Sequence, residues 1–148
     1  MAEKIVAGSD HAGLQLRAEA VKTARARGFE VEDLGPSTAE SVDYPDQAVK
    51  VGAVVAAGGA RFGILVCGTG IGVSIAANKL PGVRAALCRT EYEARMARAH
   101  NDANVLCLGE RVTGAGLGAA IVEAFLATPF EGGRHVRRVG KIDALDRR

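Results

Sequence analysis

Residues Leu65 to Ser74 read LVCGTGIGVS, a cysteine set against glycine at every second position. Glycines such as Gly68, Gly70 and Gly72 let backbone N–H groups turn toward one point and approach a ligand closely. A helical pattern follows, and a helix start adds partial positive charge. Such a loop suits an anion. The anion is either a phosphate, with Cys67 a small packed neighbour, or a charge that Cys67 helps to create. A tight turn without a ligand is the bland alternative, and three alternating glycines weigh against it. A thiol can be brought toward neutrality by a helix N-terminus, and a proton-transfer group works best near the ambient pH. Cys88 and Cys107 have no polar loop beside them and read as small core residues.

Other residues could share this chemistry. Asp10-His11 follow an apolar run and serve equally as a helix cap with a surface imidazole, or as substrate contacts. His100 ends a helical stretch before Asn101-Asp102, where an imidazole favours the helix dipole; on the residues alone that reading is preferred. Arg134 and Arg138 are four apart and share a helix face, which suits a phosphate gripped by paired hydrogen bonds. Arg137 points about a hundred degrees away. The bland reading of RHVRR is a solvated basic face. No His, Cys, Asp or Glu spacing supports a metal site, and none is expected. The dinucleotide fingerprint GxGxxG fails because its third glycine falls at Val73. Arg89, after the next strand, could still serve an NADP phosphate, so an NADP-binding domain stands as an alternative.

Short β-branched runs that would position these groups alternate with helical patterns. Strands are expected at about 4–8, 29–34, 62–67, 83–88 and 104–108. Helices are expected at about 13–27, 45–57, 73–79, 91–99 and 114–127, with a basic helix after Gly133. In the first helix, Leu14, Ala18, Val21 and Ala24 are expected to form the inner face. The pattern predicts an α/β fold: a three-layer αβα, Rossmann-like domain with a five-stranded parallel sheet in the flavodoxin-like order 2-1-3-4-5. Ligands in such sheets bind beyond the strand C-termini where the order reverses. That point lies between strands 1 and 3, which end at Asp10-His11 and Cys67.

The 148 residues suit one domain, spanning 1–148, with 48% hydrophobic and 24% charged residues. A net charge of +2 does not argue for nucleic acid or a membrane surface. The basic residues are uneven, however, and Arg134, Arg137, Arg138, Lys141, Arg147 and Arg148 crowd the C-terminus. No apolar run reaches the ~20 residues of a membrane span, and the first residues read as a strand rather than a signal peptide. Three widely spaced cysteines argue against disulfides, so a cytoplasmic protein is expected.

Taken jointly and in order, six segments resemble the RpiB/LacAB sugar-phosphate isomerase family over essentially the whole chain. They are Asp10-His11, Asp43-Tyr44-Pro45, Cys67 to Gly72, Ala77-Asn78-Lys79, His100 to Asn104, and Gly132 to Arg138. The resemblance implies a cofactor-free, metal-free aldose–ketose isomerase, with D-ribose 5-phosphate and D-ribulose 5-phosphate as the pair interconverted through a cis-enediolate. Allose 6-phosphate or galactose 6-phosphate is the alternative within the class; a sugar-phosphate-binding domain without turnover is the alternative outside it. It also implies a homodimer, or a tetramer, with sites shared between subunits. By likeness Cys67 is the base, His100 assists ring opening with Thr69 nearby, and the loop Gly68, Gly70, Ile71 and Gly72 stabilises the enediolate oxygen. Asp10, His11, Tyr44 and Asn101 would hold the sugar, and Arg134 and Arg138 the phosphate, with Arg111 a further candidate. One branch of the family carries a Glu base just after the last loop glycine. Val73 stands there, which places this chain with the cysteine branch.

Overall fold

The computed structural model describes residues 2–147. Met1 and Arg148, the ends of the expected 1–148 domain, lie outside the described residues, as does the side chain of Arg147. The strands are β1 (Lys4–Ser9), β2 (Glu30–Asp33), β3 (Phe62–Cys67), β4 (Ala85–Leu87) and β5 (Val105–Gly109). The helices are α1 (Leu14–Ala26), α2 (Tyr44–Ala56), α3 (Ile71–Ala77), α4 (Glu91–Asn101), α5 (Ala115–Ala127) and α6 (Arg134–Ala144). A 3-10 turn, His11–Gly13, leads into α1, and another, Leu145–Arg147, follows α6.

All strand pairings are parallel. Strands buried on both faces read as continuous apolar runs. The FGILVC of β3 is such a run, and every one of its residues is buried. Helices cover both faces. On one face α1, α4 and α5 pack around Leu16, Ala20, Ile121 and Phe125, with Phe62 meeting Phe125 edge-to-face at 5.3 Å. On the other, α2 and α3 supply Val51, Val55, Val73 and Ala77.

Two expectations need correction. The strand order is β2-β1-β3-β5-β4, not 2-1-3-4-5. The reason is burial: VLCLG of β5 is buried throughout, whereas the three residues of β4 are only half-buried. The fully apolar strand takes the inner position and the short one the edge. Second, Val21 and Ala24 of α1 face the core as expected, but Ala18 is exposed and Leu14 only half-buried, and Leu16 and Ala20 take their places. The i, i+4 row from Leu16 is the one that meets the sheet. The switch point between β1 and β3 is unaffected, because β2 and β3 still flank β1.

Candidate functional site

The register brings the expected residues together at the C-terminal strand ends. Ser9 pairs with Val66, and Cys67 with Gly109. Beyond the ladder, Asp10 N donates to the Val66 carbonyl, Glu110 N to the Cys67 carbonyl and Arg111 N to the Gly68 carbonyl. The three chain segments leaving the sheet are thereby tied to one another. Between them lies an open cleft of about 400 Å³ lined by Asp10, His11, Tyr44, Cys67, Gly68, Thr69, Ile71, Gly72 and Arg111, with Ile75 at its rim.

The cysteine forms the floor. Cys67 is the last residue of a buried central strand and is itself 4% exposed. Gly70 N donates to its sulfur at 3.2 Å. That bond needs the loop to double back, and Gly70 does so with φ +78, where L side chains are strained. Helix α3 starts at Ile71, two residues earlier than its pattern predicts. Thr69 Oγ1 accepts from Ile71 N at 3.2 Å, and its own O–H has no partner among the described residues. Gly72 permits a close approach on the other wall: a Cβ there would lie 2.5 Å from the Tyr44 ring.

The remaining walls are held from behind. Asp10 is 6% exposed and accepts from Ala12 N at 2.9 Å, so it caps the 3-10 turn while lining the cleft. His11 Nδ1 accepts from Val42 N at 3.2 Å. That bond leaves Nε2 to carry the proton of the neutral ring. Buried Arg17 joins the Ser9 hydroxyl, the Pro36 carbonyl and Asp33, locking the β1 tip to the loop after β2. Glu110 accepts from Leu16 N at 2.8 Å, tying the turn after β5 to the start of α1. Motif reading singled out neither Arg17 nor Glu110. The Arg111 guanidinium lies over Gly68, with Nη1 3.1 Å from where a Cβ would stand.

Five of the expected residues do not line the cleft. Gly70 is buried behind the floor, its N–H on the Cys67 sulfur. His100, Asn101, Arg134 and Arg138 form a second cluster at the opposite edge of the sheet. Helices here run against the strands they follow, so α4 ends where β5 begins. Asn104, just beyond it, accepts from Gly63 N at the start of β3 and donates to the Arg84 carbonyl before β4. Asp102 closes α4 in the left-handed conformation (φ 47), and Arg98 and Arg84 grip its carboxylate. Arg84 also reaches Asp143 of α6 at 3.2 Å. Arg134 and Arg138 are exposed on α6.

Two residues that motif reading passed over belong to this cluster. The His100 ring stacks on that of buried His135, centroids 4.3 Å apart and planes 11° apart. Glu131 sits 3.8 Å from His100 Nε2 and 3.7 Å from His135 Nε2. The donor atoms of this trio lie within 4.8 Å of one another. Imidazole lone pairs lie in the ring plane, however, and near-parallel stacked planes do not meet at a common point. As they stand, the rings are arranged to share a carboxylate rather than to converge on a metal. The signal for the trio was Glu131 four residues before His135, inside a segment read only for its arginines.

A parallel α/β sheet with a thiol, a glycine loop and sugar-sized polar walls at its switch point, and paired arginines elsewhere, defines a candidate sugar-phosphate enzyme. The sequence profile of the Ribose/Galactose Isomerase family matches residues 5–142, and the chain belongs to that family. It is 48% identical to ribose-5-phosphate isomerase B of Escherichia coli K12 over 146 residues, covering 99% of this chain and 98% of that one. It superposes on type B ribose 5-phosphate isomerase of Trypanosoma brucei with a TM-score of 0.95 at 52% identity, covering 98% of this chain and 99% of that one. The Mycoplasma genitalium ribose-5-phosphate isomerase B with bound ribulose-5-phosphate matches with a TM-score of 0.93 at 44% identity, covering 97% and 95%.

The second cluster has a measurable signature. Burial, then the adjacent His100 and Arg134 charges, with Arg138 adding, hold the His135 imidazole below the ordinary histidine value; Glu131 opposes them. The unfolded chain therefore binds more protons than the fold once pH drops below 6.5, the ordinary value. This contribution to stability is complete above that pH and is lost as pH falls through the folded-state value. Urea midpoints measured between about pH 7 and about pH 5 should fall less steeply for His135→Phe than for the unsubstituted protein. Parallel slopes would contradict a neutral buried imidazole.

Proposed function

We propose that this protein interconverts D-ribose 5-phosphate and D-ribulose 5-phosphate. The observation that carries the reading is the Cys67 sulfur on the floor of the cleft, with a backbone donor already on it, while the paired arginines lie elsewhere. The glycine loop is thus available to the reacting carbons rather than to the phosphate.

In the open-chain aldose, Cys67 takes the C2 proton, and the electrons left behind form the C1–C2 double bond as charge moves onto O1. Gly70 N is taken by the sulfur and Ile71 N by Thr69 Oγ1, so that oxygen is assigned to the remaining N–H groups of the loop and the Thr69 hydroxyl; pre-aimed donors of this kind are worth about 3–4 kcal/mol each in transition-state stabilisation. A proton passes between O2 and O1, the sulfur returns its proton to C1, and the ketose carbonyl forms at C2. Asp10, His11 Nε2 and Tyr44 hold the sugar hydroxyls. Arg134 and Arg138 grip the phosphate, so that binding energy far from C1–C2 orients the reacting end. Arg111 borders the cleft and adds positive charge.

The arginines and His100 reach a cleft only if a second chain brings them there. We therefore infer a homodimer in which each cleft is completed by His100, Asn101, Arg134 and Arg138 of the partner subunit. A two-fold axis makes this exchange reciprocal and closes the assembly. Exposed Tyr44, Ile71 and Ile75 at the cleft supply apolar surface for that contact. Residues 1–148 are read as one isomerase domain. Among the described helices none is long and apolar enough to cross a membrane. The three free cysteines support a reducing, cytoplasmic setting. The NADP alternative loses its support because β5 separates the glycine loop from Arg89, which is engaged with Glu93.

Chelator-treated protein should form ribulose 5-phosphate from ribose 5-phosphate faster than it converts allose or galactose 6-phosphate. No turnover on any of the three would sink the isomerase reading. Cys67→Ala should keep sugar-phosphate binding but lose about 10²–10⁴-fold in kcat, together with deuterium uptake from solvent. Retained uptake would remove Cys67 from the base role. Subunits of Cys67→Ala and His100→Ala, each inactive alone, should recover about a quarter of the sites when mixed and re-paired at random. Sites built within one chain would recover none.

A further inference from the structure

Glu131 and His135 surround the one imidazole that the isomerase reading assigns to ring opening. Glu131 N donates to the Ala99 carbonyl at 3.0 Å. The loop before α6 is thereby pinned to the residue beside His100. From that anchor the Glu131 carboxylate faces both ring nitrogens, at 3.8 and 3.7 Å. Apo contacts of this length commonly tighten when substrate binds. His135 is 5% exposed and lies flat against His100, which fixes the plane of the more exposed ring. A carboxylate on one imidazole nitrogen sets which nitrogen holds the proton and leaves the other for the substrate.

We infer that Glu131 and His135 are positioning residues for His100, acting on the opening of the cyclic sugar and not on proton transfer between C1 and C2. The inference rests on the isomerase reading. Its chemistry separates the two steps. An aldopentose 5-phosphate closes through O4 onto C1. Opening breaks C1–O4, makes the C1 carbonyl, and moves one proton from O1 to O4. A 2-ketopentose would need O5 to close a five-membered ring, and in the 5-phosphate that oxygen is esterified. Ribulose 5-phosphate is therefore already open, and forming the enediolate from it needs no ring chemistry.

The test uses both directions on the full-length protein. Glu131→Gln changes an exposed side chain and should leave the fold intact; His135→Ala removes the stacked ring, and His135→Phe restores it. Glu131→Gln and His135→Ala should lower kcat from ribose 5-phosphate by about 10-fold or more. Deuterium uptake at C1 of ribulose 5-phosphate in heavy water should stay within about 3-fold of the unsubstituted protein. His135→Phe should recover most of the ring-dependent rate, as expected if the ring plane is what His135 supplies. Equal loss in both assays, or no loss in either, overturns the positioning role while the isomerase reading stands. If the unsubstituted protein neither isomerises nor exchanges, both readings fall together.

Discussion

The parallel ladder between β1, β3 and β5 is the constraint on which the rest of the molecule depends. It stacks Ser9 beside Val66 and Cys67 beside Gly109, and three backbone bonds extend it past the strand ends. Each such bond contributes only about 1 kcal/mol net. Together they define the positions of a thiol, a glycine loop and an acidic–imidazole pair on buried, rigid elements. A site that moves protons at carbon needs that rigidity, because donors aimed in advance cost no reorganisation during the reaction.

The same polarity separates the groups it does not join. In a parallel sheet every returning helix ends at the edge opposite the strand tips. His100 and the α6 arginines are therefore kept from the cleft of their own chain by topology, not by a loop that could swing. The stiff connections agree. Asp102 closes α4 in a left-handed turn clasped by two arginines, and Arg84 ties α6 to the same corner. The proposal of a shared site rests on this topology more than on the exposed apolar rim. On the proposed assignment, the division keeps the phosphate's charge away from the loop that would accept the enediolate.

Much of this was legible in the sequence. Period-2 and apolar runs located all five strands, β3 to the residue, because buried parallel strands leave a continuous signal. The joint motifs from Asp10-His11 to Arg134 and Arg138 pointed to the family. What was not legible was relative depth. VLCLG and AAL differ in burial only after the strands compete for the interior position, so the order of β4 and β5 came out reversed. Ala18 looked like a core residue because alanine is indifferent to exposure. Glu131 and His135 were hidden by their neighbours: in GGRHVRR the arginines carry the evident charge, and the imidazole's partner lies on another helix. A linear motif also cannot say which of two chains a residue serves.

Everything proposed for the site turns on one placement, the glycine loop against the reacting carbons and the arginines against the phosphate. A crystal structure of this protein with bound ribulose 5-phosphate tests it most directly. C1 and C2 should lie against the Cys67 sulfur with O1 or O2 on the loop's N–H groups, and the phosphate against Arg134 and Arg138 of the partner subunit. A phosphate seated in the loop from Gly68 to Gly72, with C1–C2 remote from Cys67, would contradict it.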